Sequence, residues 1–289
     1  MSDKQFDELT GTQTTGHVWD GITELDTPMP LWWLWIFYGT IAFALVYVVL
    51  YPAIPLINSA TQGTLGWNSR AALEEEVKIA ASAQSGLRDK IAAASMEEIV
   101  GNDELLQFSV SAGRSAYAVN CSPCHGSGAA GSPGYPNLQD DEWIWGSDLQ
   151  AIHDTIAHGV RNGGDAARDS QMPAFGTDGV LDPTAIENVS AHVVTLAGGK
   201  PEFGDAAAGQ QIFAENCAAC HGEAGEGMAE LGAPRLADPI YLYGGDQAQI
   251  AAQISAPKHG IMPGWAERLG DVTVKQLAVY VYSLSGGAK

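Results

Sequence analysis

Two heptads concentrate the reactive side chains of this sequence: NCSPCHG at residues 120–126 and NCAACHG at residues 216–222. Each holds two thiols three positions apart, with an imidazole immediately after the second. Cys-x-x-Cys-His is the attachment signature of c-type haem. Two thiols at that spacing on one turn can each add across a haem vinyl group, and the next residue then presents its imidazole to the iron. Five residues thus supply both attachment and proximal ligation. Cys121 and Cys124 would hold one haem with His125 as its ligand, and Cys217 and Cys220 a second with His221. Two other chemistries use paired cysteines. A thioredoxin-like dithiol belongs at a helix start in a strand-rich fold, and no clear alternating strand pattern is present here. A zinc site made of two Cys-x-x-Cys pairs closes a loop of about 15–20 residues, far shorter than the stretch between Cys124 and Cys217. All four cysteines lie in the two heptads, so none is left for a structural disulfide.

A sixth ligand decides whether each iron binds substrate or only carries electrons. Met172 and Met262 stand in matching loops, MPAF (172–175) and MPGW (262–265). A thioether ligand favours ferrous iron and raises its potential, so these loops predict two closed, six-coordinate, electron-transferring haems. Met96 and Met228 are weaker candidates, the latter only seven residues after His221 and too close to reach the opposite haem face easily. His259, three residues before Met262, is an alternative ligand. His153 and His158 have no counterpart in the second copy, His192 takes the place of Tyr280 as an aromatic packing position, and His17 reads as an interface residue.

The elements that must position these groups form an internal repeat. AGRSAYAVNCSPCHG (112–126) overlies AGQQIFAENCAACHG (208–222) at an offset of 96, and PNLQDDEWIWG (136–146) overlies PRLADPIYLYG (234–244) at an offset of 98. Each copy closes with Leu-x-Gly-Gly, in TLAGG (195–199) and SLSGG (283–287), and KPEFG (200–204) joins the two. Capping boxes are expected at Ser147/Gln150, Asp246/Gln249 and Thr273/Gln276. Asp182 and Pro183 should open a helix that Gly198 ends. Gly113 with Tyr117, and Gly209 with Phe213, sit four apart on one helical face, where glycine permits close crossing and the ring fills the space beside it.

Residues 31–51, LWWLWIFYGTIAFALVYVVLY, carry no charge, and the uncharged run extends from Thr27 to Ser69. At about 1.5 Å per residue such a segment matches a hydrocarbon core of roughly 30 Å. Trp32, Trp33 and Trp35 crowd one end and Tyr47 and Tyr51 the other, as interfacial aromatics do; Pro52 and Pro55 stop the helix. A cleaved signal peptide fits poorly, because the leader is acidic and the apolar run exceeds the usual 7–15 residues. Lys4 on one side and Arg70 on the other are too few to orient the span by charge. Residues 69–94, rich in Ala, Glu and Leu, read as a connecting helix that Gly86 breaks into two pieces. Fourteen basic against 34 acidic side chains give a formal charge of −20. That excludes nucleic-acid binding, which requires neutralised phosphates, and favours basic protein partners.

An anchor followed by two tandem haem motifs resembles subunit III (CcoP/FixP type) of cbb3-type cytochrome c oxidases. TTGHVWDGITELDTPMPLWW (14–33) is similar to the family's segment before the membrane, and LGWNSR (65–70) to its segment after it. The resemblance implies an all-α fold, with one N-terminal transmembrane helix followed by two tandem class I cytochrome c domains. The expected divisions are a cytoplasmic leader (1–30), an anchor (31–57), a periplasmic helical connector (58–107) and cytochrome domains at 108–199 and 203–289. It implies two covalent haem c groups on Cys121, Cys124, Cys217 and Cys220, with His125, His221, Met172 and Met262 as axial iron ligands. The pairing of methionines with haems, local or crossed between repeats, stays open. It further implies a single-pass protein of the bacterial inner membrane, haem domains in the periplasm. This protein would take electrons from a donor cytochrome c and pass them to the mono-haem and catalytic subunits of the oxidase. The chain has no oxygen-reducing site of its own, since its anchor lacks histidine. A free-standing dihaem shuttle to another periplasmic reductase is the alternative, and would not need the leader segment.

Overall fold

The protein is described by a computed structural model over residues 5–285; Lys4 and the glycines at 286 and 287 lie outside the described residues. The chain divides into two compact units, one up to Ala83 and one from Gln84 onward.

The first unit begins with a three-stranded antiparallel sheet, β1 (Phe6–Asp7), β2 (Thr12–Trp19) and β3 (Ile22–Leu25), in that order. No clear alternating strand pattern marks these short strands in the sequence, and they add a small sheet to the otherwise helical fold expected. Asp20 and Gly21, both at positive φ (48° and 85°), make the two-residue turn between the paired Trp19 and Ile22. Asp-Gly is the residue pair that such a turn favours, because its twist matches that of the flanking strands. The register shifts between Thr14 and Val18, around Gly16 at φ 86°, as at a bulge. Glu24 ties the strands by accepting from Trp19 Nε1 (2.9 Å) and Thr15 Oγ1 (3.1 Å).

Helix α1, Leu31–Leu50, is 20 uncharged, mostly apolar residues with no buried side chain and a mean hydropathy of 2.0. It is therefore a candidate membrane span. Tyr51, extended ahead of Pro52, ends it. The chain then folds back, with Thr64 N–H donating to Val49 O and Leu65 N–H to Leu50 O. Gly63 (φ 70°) sits so close to the backbone of Leu50 and Tyr51 that a side chain has no room.

Helix α2, Ser69–Ala93, is continuous. Gly86 does not break it: its surroundings are open, and one exposed glycine costs a helix only about 1 kcal/mol. Beyond it come α3 (Met96–Val100), α4 (Asp103–Asn120), α5 (Ser122–His125), α6 (Leu149–His158) and α7 (Pro183–Leu196). The second copy supplies α8 (Ala206–Asn216), α9 (Ala218–His221), α10 (Gln247–Ser255), α11 (Ala266–Leu269) and α12 (Asp271–Leu284).

Several helix starts agree with the sequence. Asp182 caps α7 with Pro183 in its first turn, and Asp246 and Gln249 form a capping box on α10. Two do not. Asp148, not Ser147, caps α6 by accepting from Ala151 N–H, the shift that brings Leu149 into the core as first helical residue. Helix α12 starts at Asp271 behind Gly270, which places Thr273 and Gln276 inside the helix; Gln276 is buried.

The second unit holds two hydrophobic cores, and neither follows one repeat. In the first, α4 packs most extensively on α12, with α6 also against α12. Tyr117, Leu149, Ile152, Ile156, Val274, Leu277 and Val281 are buried there together with Ile91, Met96 and Ile99 of the connector. In the second, α7 packs on α8 and α10 on α7, around Phe175, Ile186, Val189, Val193, Phe213, Ile250 and Ile254. The last helix of each repeat thus covers the first helix of the other. The two glycines make this possible. A Cβ at Gly113 would collide with Gln276 O and come within 2.7 Å of the Tyr280 Cβ; one at Gly209 would collide with Asn188 O and come within 3.0 Å of the His192 Cβ. Tyr117 and Tyr280 pack at 5.5 Å, Phe213 and His192 at 5.3 Å. His192 is therefore the packing ring that its alignment with Tyr280 predicts.

Candidate haem sites

Each Cys-x-x-Cys-His folds as one helical turn on the end of a longer helix. Cys121 closes α4 by donating its N–H to Tyr117 O, and Cys217 closes α8 by donating to Phe213 O. His125 N–H returns to Cys121 O and His221 N–H to Cys217 O, both at 2.9 Å. Gly126 (φ 81°) and Gly222 (φ 78°) then end the turns. This winding gathers two thiols and one imidazole at a single point in each repeat.

The ring orientation is fixed the same way twice. His125 Nδ1 lies 3.0 Å from Pro136 O, and His221 Nδ1 lies 2.9 Å from Pro234 O. A carbonyl can only accept, so Nδ1 carries the proton and Nε2 keeps its lone pair for a metal. The two prolines open the segments that align at an offset of 98, yet that alignment gave them no role. The signal was their place as first residue of each matched segment.

Burial pushes the thiols of Cys121 and Cys217 up to about 11, with Cys124 and Cys220 adding to the shift. Neither Cys121 nor Cys217 is therefore the low-pKa attacking thiol of a redox dithiol. Cys121 packs on the first core and Cys217 on the second, and the four sulfurs do not form one zinc cage. Burial also lowers the proton affinity of His221, partly offset by the Pro234 carbonyl.

The methionines lie with the opposite repeat. Met172 lines a cavity of ≈ 230 Å³ together with Cys217, Cys220 and His221, walled by Phe175, Val189, Val193, Phe213, Ile250 and Ile254. Met262 packs on the first core, with Tyr117 and Cys121. Their loops are anchored in matching ways. Gly176 and Thr177 N–H donate to Ser255 O at the end of α10, and Trp265 N–H donates to Ile156 O and Ala157 O at the end of α6. Val160 and Met262 exchange two backbone hydrogen bonds of 2.9 Å.

The remaining candidates fall elsewhere. Met96 is buried in the first core. Met228 pairs by backbone with Ala233 in the strap after His221. His259 lines the cavity beside Met172. His153, half-buried on α6, faces Asp154 at 3.1 Å and Asp271 at 3.7 Å, while His158 is exposed. His17 lies on β2, 6.4 Å from the ring of Trp19.

The donor set fits a covalently attached haem. Each site offers two free thiols and an imidazole whose outer nitrogen is preset, and the second adds an apolar cavity with a thioether in its wall. Comparison with known proteins agrees. Residues 11–58 match the N-terminal domain of cytochrome oxidase-cbb3, FixP, and residues 108–193 and 204–281 match cytochrome c oxidase, cbb3-type, subunit III. The chain is 51% identical over 288 residues to the cbb3-type cytochrome c oxidase subunit FixP of Rhizobium etli, covering 99% of this chain and 100% of that protein. It is 48% identical to the subunit CcoP of Cereibacter sphaeroides, covering 95% of each. With its two Cys-x-x-Cys-His turns, its candidate membrane span and these full-length relatives, the chain belongs to the FixP/CcoP family, the haem c-binding subunit III of cbb3-type cytochrome c oxidases.

Proposed function

We propose that the chain holds two haem c groups with crossed axial ligation, His125 with Met262 and His221 with Met172, and relays electrons into the oxidase. The placement of Met172 in the cavity of Cys217, Cys220 and His221 carries this reading. When bound, each haem supplies an iron that passes between ferric and ferrous states. The protein's own residues do the rest. Cys121, Cys124, Cys217 and Cys220 make the attachment covalent. The carbonyls of Pro136 and Pro234 hold the imidazoles with Nε2 turned to the metal. Met172 and Met262 close the remaining positions, which favours the reduced state and leaves neither iron open to substrate.

A chain of formal net charge −20, most of it outside the leader, suits a basic donor cytochrome c, with a rate that falls as salt rises. Electrons then pass to the mono-haem and catalytic subunits, where oxygen is reduced to water with proton pumping. Haem c is attached outside the bacterial cytoplasm, which supports periplasmic haem domains, a single span at α1 in the inner membrane, and a cytoplasmic leader. Val18, Trp19 and Ile22, exposed on the leader hairpin, are the surface by which it docks on the catalytic subunits.

The test uses a full-length chain with Cys217 and Cys220 replaced by Ser, which keeps only the first haem. Adding Met262→Ala should then abolish the thioether-to-iron band and lower the potential, whereas adding Met172→Ala should leave both unchanged. The reverse pattern would establish local pairing. A wild-type chain yielding one haem, or high-spin ferric iron, would remove the dihaem reading altogether.

A further inference from the structure

Arg161 makes the same contact to two duplicated loops. Its Nε donates to Gly260 O at 2.8 Å and its Nη1 donates to Ser170 O at 2.9 Å. Gly260 stands two residues before Met262, and Ser170 stands two residues before Met172. A single guanidinium therefore holds the equivalent carbonyl in both methionine loops. Its planar, rigid fork of donors suits this, because two acceptors can be satisfied at a fixed separation without reorganisation.

The backbone around Arg161 is shaped for that reach. Arg161 has φ 50°, a left-handed conformation that side chains other than glycine rarely adopt. Val160 is committed to its two bonds with Met262, and Arg161 N–H donates to Arg168 O at 2.8 Å. Other cations nearby are engaged differently: Arg168 lies over the Trp145 ring and donates to Ala151 O. Burial lowers the pKa of Arg161, while Tyr243 and Asp169 favour its charge. Among the described residues no carboxylate pairs with it at salt-bridge distance.

We propose that Arg161 is a positioning residue for both distal methionines, so that one side chain couples the ligation of the two haems. This rests on the reading of Met172 and Met262 as iron ligands. Loss of the guanidinium frees both loops two residues upstream of their thioethers, since among the described residues no other side chain hydrogen-bonds to Ser170 O or Gly260 O. Asn162 differs, since its amide reaches Met262 O but bonds only that loop.

The test is proton NMR of the ferrous, haem-loaded, full-length chain, where each iron-bound methionine gives one strongly upfield methyl signal. Met172→Ala and Met262→Ala should each delete one of two signals. Arg161→Ala should weaken or delete both and lower both midpoint potentials, with covalent haem content unchanged. Asn162→Ala should perturb only the Met262 signal. If Arg161→Ala leaves either signal and its potential as in the parent chain, while the methionine variants behave as expected, the coupling is wrong and the ligands stand. If neither methionine variant deletes a signal, the ligand reading fails and takes the coupling with it. Should Arg161→Ala not accumulate, Arg161→Lys replaces it. A single ammonium cannot fork to two carbonyls, so both signals should shift, and two unshifted signals would overturn the proposal.

Discussion

The two cores of the second unit share one plan and differ in how they are filled. Helix α4 has 18 residues and α8 only 11, although both end in the same cysteine turn. The longer helix gives the first core extra surface, and the connector fills it with Ile91, Met96 and Ile99. Lys275 of α12 fastens that connector by donating to the carbonyls of Ile91, Ala92 and Ala94, as cations do at helix C-termini. In the second core the position matching Leu149 is Gln247, which is buried. Its amide donates to Ser190 Oγ and Phe203 O, and its carbonyl accepts from Glu202 and Phe203 N–H. One core is thus completed by apolar burial of an upstream helix, and the other by a polar hub that ties down the linker between repeats. A duplicated unit stays stable in two contexts by recruiting whichever segment precedes it.

The largest effect should come from the glycine crossings that both cores share. Gly113→Val and Gly209→Val each force backbone apart, at a cost of about 3 kcal/mol, the upper end for overpacking. Because the covering helix comes from the other repeat, Gly113→Val should disturb Met262, not Met172, in haem spectra; disturbance of Met172 instead would break the crossed description. Next is Ile99→Ala, which should cost about 3 kcal/mol in the first core alone. Thermal unfolding followed at each haem separately checks this, and equal losses at both sites would mean the cores are not energetically distinct.

Exchanging the matched residues sharpens the contrast further. Gln247→Leu leaves the linker groups of Glu202 and Phe203 without a partner, and Leu149→Gln buries an amide that has none; each should cost about 2 kcal/mol. If Gln247→Leu is neutral in denaturant unfolding, the hub does not hold the linker. The smallest effect concerns His192, whose proton affinity burial lowers. The fold favours the neutral ring, so this stabilisation is complete above the unfolded value of 6.5 and lost as pH falls through the lower folded one. His192→Tyr, which copies Tyr280 of the first core, should reduce the loss of second-core melting temperature between neutral and mildly acid pH. An unchanged acid sensitivity would place the titrating group elsewhere.

Much of this was legible in the residues because the signals are local. The cysteine turns need five consecutive residues, the span of α1 needs only uninterrupted apolarity, and Asp182 and Asp246 cap helices that begin at the next residue. Some local signals were present but outweighed. Asp20-Gly21 marks a hairpin, yet its strands are short and too polar to alternate clearly. Ser147 and Asp148 both suit a helix start, and the choice fell to the frame that buries Leu149. Gly86 reads as a breaker, but a single exposed glycine is too weak to divide a 25-residue helix.

The sequence by itself determined that there are two Cys-x-x-Cys-His motifs and two Met-Pro loops, the residues proposed to attach and ligate haem. It did not determine which methionine faces which histidine. The repeats carry the same glycine, the same aromatic neighbour and similar terminal helices, so local and crossed packing satisfy identical short-range preferences. Only the tertiary structure separates them, by setting α12 on α4 and α7 on α8. The same long-range choice brings Ser170 and Gly260, ninety positions apart in the chain, to one guanidinium. No pattern within either repeat encodes that meeting, because it exists only once both loops have crossed.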